Sequence, residues 1–145
     1  MNLPEYVSIQ EVKRVCRELK ISDWTKKKKP EVSSKEAKII LAHVNTEKMK
    51  IRPEDFRTGL EVELEHGIMF KPYNVTNNHP VLTGKIVMAH FMEMLDYYQR
   101  LDVAEIEGDI LKAVVAKNME KVQKYYRKLV KAKIELGKTE AEKLK

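Results

Sequence analysis

Two pairs of residues carry most of the chemical potential of this chain: Glu63 with His66, and His90 with Glu93. In each pair a carboxylate and an imidazole stand three positions apart, so a helix would carry both on one face. Four such groups from two neighbouring helices form a ligand set for zinc, iron or manganese, and helical bundles build di-metal sites from related elements. Only the first pair has the Glu-x-x-His order those bundles use, and the additional glutamates cannot be assigned. The competing reading is a metal-free network in which Glu63 accepts hydrogen bonds from His90, His66 or a tyrosine hydroxyl. His43 and His79 read as a helix-flank and a loop residue facing water. No Gly-x-Ser-x-Gly elbow, Gly-rich phosphate loop, Cys-x-x-Cys pair or His-Glu-x-x-His helix is present, so nothing favours a nucleophilic or hydrolytic enzyme.

A second chemistry lies in the charge. Residues 109–145 hold 11 Lys/Arg against 5 Asp/Glu, whereas residues 1–108 hold 17 of each, so the net charge of +6 belongs to the last quarter of the chain. Lys117, Lys121, Lys124, Arg127, Lys128 and Lys131 are the candidates there for contact with an anionic partner. With the run Lys26 to Lys29 they allow sequence-unspecific, salt-sensitive nucleic-acid binding; no base-reading motif accompanies them. The polar loop Asn74 to Asn78, next to a helix start, suits an anion or, more simply, turns and caps.

These groups must be positioned by helices. Gly and Pro number five each in 145 residues, and hydrophobic residues make up 43% of the chain, as in a helix-rich globular protein. Ser8 and Glu11 form a capping box, with Val7 and Val12 placed as a hydrophobic staple before Ile9, Val12, Cys16 and Leu19. Cys16, the single cysteine, falls on that stripe and reads as core. Trp24 to Pro30 reads as a loop. Ser33 and Glu36 open a second helix with Ala37, Ile40, Leu41 and Val44 inward. A third starts at Pro53, turns Phe56, Gly59, Leu60 and Leu64 inward with Glu63 among them, points Glu61 and Glu65 to water, and ends at Gly67. A fourth runs from Pro80 to Leu101 with His90 near the centre of its apolar side and Asp96 and Arg100 on its polar flank. The last spans 109–137 as one helix, where Leu111, Val115, Val122, Leu129 and Leu136 keep close to a heptad, and residues 138–145 form a frayed tail. No apolar run reaches the roughly 20 residues of a membrane span, and the N-terminus lacks the features of a secretory signal. An intracellular, cytoplasmic setting is expected.

Pro53 to Gly67, then Asn74-Val75-Thr76-Asn77, then Thr83-Gly84-Lys85-Ile86 with Ala89-His90, and Asp96-Tyr97-Tyr98 with Arg100-Leu101, resemble a small family of bacterial and viral proteins of unknown function. The resemblance covers roughly residues 34–101 and implies a shared helical fold without an activity. The first helix and the basic last helix then read as additions, and the viral members imply a possible place in a virus particle. The expectation is an all-α protein with a compact core of about four helices in residues 1–108 and a long basic C-terminal helix. Its expected role is a non-enzymatic structural or interaction module that meets a protein partner, or a second copy of itself, through that helix. A Glu/His metal protein is the alternative, and a nucleic-acid accessory protein the third.

Overall fold

The computed structural model describes residues 7–145, and all regular structure among them is helical. Six α-helices follow in order: α1 Ile9–Glu18, α2 Ser34–Val44, α3 Pro53–Met69, α4 Pro80–Glu93, α5 Tyr97–Val115 and α6 Met119–Lys143. The chain forms two compact units that part between Glu93 and Met94.

In the first unit α1 begins where Ser8 Oγ accepts the Glu11 N–H at 3.2 Å. The Glu11 carboxylate does not reach back to close the expected box. It pairs with the Arg14 guanidinium instead, at 2.6 and 2.8 Å. Val12, Val15 and Cys16 face the core, while Ile9 at the head of the stripe is 46% exposed. The segment expected as a plain loop contains a single 3-10 turn, Trp24–Lys26, and Trp24 is fully buried.

Glu36 explains why. The capping box at Ser33 forms as the sequence indicates, with Glu36 Oε2 accepting from the Ser33 N–H at 3.1 Å and its Oγ at 2.9 Å. The other oxygen, Oε1, accepts from the Ser22 N–H at 3.2 Å, Ser22 Oγ at 2.5 Å and the Trp24 indole N–H at 3.3 Å. Burial alone would push this carboxyl's pKa up. The hydrogen bonds from Ser22 and Ser33 and the nearby Lys27 charge outweigh it, and hold it at about 2.

Helix α3 buries Phe56, Gly59, Leu60 and Leu64, the face the spacing predicts, but runs through Gly67 to Met69. Helix α4 crosses close to α2 at Gly84. A Cβ there would stand 2.7 Å from Ile40 Cγ2 and 3.3 Å from Val44 Cγ1, so only glycine admits this approach. The inward face of α4 is Thr83, Gly84, Val87, Met88 and Phe91. It is rotated from the expected one, so that His90 sits at its margin.

The second unit corrects four expectations. The helix predicted from Pro80 to Leu101 ends at Glu93, and a new one starts at Tyr97. The single helix predicted over 109–137 is two, α5 and α6, broken where Lys117 turns left-handed (φ 52°) and Asn118 Oδ1 caps the Lys121 N–H at 3.0 Å. The tail from 138 is helical to Lys143. Asp96 holds that end: buried rather than on a polar flank, it takes Arg100 Nη2 at 2.8 Å on one oxygen and Lys143 Nζ at 3.0 Å on the other. Burial raises its pKa, but those two donors outweigh it and lower the pKa below the ordinary value. Arg100 also reaches Glu140 at 2.8 Å, so α6 is fastened to the start of α5 by its last turns.

Replacing Glu36 by Ala strands the Trp24 and Ser22 donors and should destabilise the chain by about 2–4 kcal/mol, read as a lower midpoint in urea unfolding. The folded pKa lies below the ordinary 4.5. The stabilisation is therefore complete above that value and disappears as pH falls toward about 2, and the variant should lose this part of the acid dependence.

Candidate functional site

Helices α3 and α4 bring together one of the predicted pairings. His90 Nε2 stands 3.6 Å from Glu63 Oε1, with both side chains mostly covered, at 28% and 17% exposure. The spacing places them correctly: each points from its own helix toward the other. The remaining two members of the set lie elsewhere. His66 is exposed and stacks on Phe70, ring centroids 6.4 Å apart, and Glu93 is exposed at the end of α4. Among the described residues no cluster of three or more His, Cys, Asp or Glu is arranged to hold a metal ion. The four predicted ligands therefore contribute one imidazole–carboxylate contact, two groups short of a four-ligand zinc or iron centre.

Glu61 is not the free surface residue expected. Its Oε1 accepts the Val32 N–H at 3.0 Å and ties α3 to the strap before α2. His43 is exposed as expected. His79 is not: it is 7% exposed and stands immediately before α4, where its Nδ1 accepts the Leu82 N–H at 3.2 Å. A neutral imidazole thus serves as the N-terminal cap, an acceptor role usually taken by Ser, Thr, Asp or Asn. Burial lowers its pKa below 6.5.

The asparagine loop makes turns. Asn74 Nδ2 donates to the Gly67 carbonyl at 3.0 Å and to Asn78 Oδ1 at 2.8 Å, and Asn77 Nδ2 donates to the Val7 carbonyl at 2.6 Å. Asn77 and Asn78 both adopt left-handed backbone, φ 48° and 60°, which asparagine tolerates.

In the second unit Lys117, Lys121, Lys124, Arg127, Lys128 and Lys131 are all exposed. Lys128 and Lys131 border a groove of about 370 Å³ between α5 and α6, floored by Ile106 and Ala132. The Lys128 ammonium lies 5.8 Å from the Tyr125 ring centre. Leu129 on α6 and Ile106 and Ala113 on α5 are buried within the hairpin. Elsewhere both helices keep large apolar side chains in water, among them Leu111, Val115, Tyr126, Val130 and Ile134.

Residues 12–107 match the model of a family described as "Protein of unknown function (DUF5661)", and the chain belongs to that family. The match takes in α1 from Val12 onward, so the first helix is part of the family fold and not an addition, whereas α6 lies wholly outside it. No curated protein and no solved structure matches the chain.

His79→Ala should cost about 1 kcal/mol through loss of the cap. Because the folded pKa is depressed, stability is complete above the ordinary pKa of 6.5 and falls as pH drops below it, when the unfolded chain takes up the proton first. Thermal melts between pH 8 and 5 should show that slope in the parent chain and a shallower one in the variant.

Proposed function

We propose that this chain is a non-enzymatic helical interaction module, and that a second copy of itself docks along α5. The observation that carries this reading is a seam on the side of α5 away from the buried Ile106 and Ala113. Tyr97, Leu101, Ala104, Gly108, Leu111 and Val115 recur at alternating steps of four and three, the spacing of a coiled-coil contact. Leu111 is 64% exposed, Val115 is 76% exposed, and a Cβ built at Gly108 would meet nothing within 4 Å. A glycine inside a helix costs roughly 1 kcal/mol relative to alanine. Among the described residues nothing outside its own helix crowds this position, so the glycine leaves room for another helix to come close.

The flanking charges favour a like partner. Arg100 and Glu107 border one side of the seam, Glu105 and Lys112 the other. When two copies of α5 lie parallel, Arg100 faces the partner's Glu105 and Glu107 faces the partner's Lys112, each beside the contact it already makes with Glu140 or Lys133 of α6, and two-fold symmetry repeats both pairs. Helix α6 suits self-pairing less well, since it carries eight Lys/Arg against four Glu and would set like charges together. Its basic outer surface, with Lys121, Lys124, Arg127, Lys128 and Lys131, stays open in such a pair for a partner with acidic side chains.

Sedimentation equilibrium should give a two-chain mass at about 100 µM. Leu111→Glu with Val115→Glu, at two exposed positions, should give the one-chain mass with unchanged helical circular dichroism. Lys124→Glu with Lys131→Glu should leave the dimer intact. A parent chain that stays at the one-chain mass throughout overturns the reading.

A further inference from the structure

The lysine run after α1 and the asparagine loop after α3 lie more than forty residues apart in sequence, yet both line one cleft of about 590 Å³ in the first unit. We propose that this cleft binds a phosphate-bearing small molecule of about nucleotide size, a ligand for which its volume is in the usual range.

Charge is the first argument. Lys26, Lys27, Lys28 and Lys71 border the cleft, and no Asp or Glu lines it. Two of the four are occupied: Lys26 lies 3.7 Å from Asp23, and Lys27 Nζ donates to the Glu31 carbonyl at 2.6 Å while lying 5.5 Å from the Trp24 ring centre. Lys28 and Lys71 have no ion-pair partner among the described residues and are exposed. Two unneutralised ammonium groups at one concavity raise the local concentration of anions, and the low-dielectric walls strengthen the effect. A solvated lysine surface without a concavity would lack this focusing.

Donor geometry is the second argument. Asn74 Nδ2 engages Asn78 Oδ1, so the Asn78 amide is held by its oxygen, and its nitrogen has no acceptor among the described residues. Ile9, the first residue of α1, lines the same cleft, and at that helix start the Ser8 side chain takes the Glu11 N–H while its carbonyl takes the Val12 N–H. The first amides of a helix and its dipole both favour a negative group. Lysine ammonium groups and amide N–H donors together form a recurrent phosphate environment, with lysine acting as a point charge.

Ile9 and Ile68 supply the third. Ile9 is an outlier on α1, heading a core stripe yet left 46% exposed at the rim of the cleft. An apolar edge beside a cationic one suits a ligand with a flat organic body attached to its phosphates. Both lysine-bearing segments and the asparagine loop fall within the family match, Ile9 lies just before it, and the cleft is independent of the α5 seam.

Calorimetric titration of the full chain at low salt with tripolyphosphate and with a nucleoside triphosphate tests the assignment. Both should saturate, the nucleotide more tightly because its base reaches Ile9 and Ile68. Lys28→Glu with Lys71→Glu should weaken both by about tenfold or more while the melting temperature stays unchanged. Lys124→Glu with Lys131→Glu on α6 should leave both within about twofold. The proposal is overturned by an absence of saturable binding up to millimolar ligand, by loss in the α6 variant rather than the cleft variant, or by a twelve-nucleotide single strand that outcompetes both small ligands. None of these outcomes depends on dimer formation, which is read from mass alone.

Discussion

A carboxylate buried among apolar side chains is costly unless every lone pair finds a donor, and Glu36 meets that demand with groups from three separate places in the chain. Satisfying it dictates much of the first unit. Ser33 must cap α2 and Ser22 must fold back onto it. Trp24 must bring its indole N–H inward, and in doing so it closes the core beside Cys16. The path between α1 and α2 is thereby fixed, and with it the display of Lys26 to Lys28 on the surface. The second unit follows the same logic with a different acid. Asp96 is buried before α5 and draws in Arg100 and Lys143, so that α6 is held at both its connection and its end.

Much of this was legible in the residues. Capping boxes and apolar spacing mark α1, α2 and α3, and the inner face of α3 is the predicted one, because those helices obey local rules that the sequence displays directly. The contact between Glu63 and His90 follows from the same periodicity. What was not legible depends on long-range partners. Trp24 looked like a loop residue because nothing near it in sequence announces a carboxylate twelve positions on. The gap between α4 and α5 and the break at Lys117 contain neither proline nor glycine, so a continuous helix was the natural expectation. Asp96 and Arg100 read as a polar flank because Lys143 and Glu140, their partners, lie forty or more residues away. His79 gave no signal either, since an imidazole cap is chemically sound but uncommon.

The candidate metal set separates for a related reason. Three-residue spacing guarantees a shared face but not a shared target. His66 follows the outer edge of α3 into the segment beyond Gly67, and Glu93 sits where α4 ends. The surface features have a different distribution. The cleft lined by lysines and the asparagine loop lies in the first unit, whereas the basic surface of α6 and the exposed Leu111, Val115, Tyr126, Val130 and Ile134 belong to the hairpin of the second.

Trp24 is the single tryptophan of the chain, fully sealed, with its indole N–H on an ionised carboxylate. Indole emission therefore reports on the first unit alone, while the second is optically marked only by tyrosines. Excitation near the red edge of the aromatic band would follow the opening of one half of the molecule without interference from the other. Helical ellipticity would sum both. Whether the halves melt together or in sequence can thus be decided on the unlabelled protein by comparing the two signals.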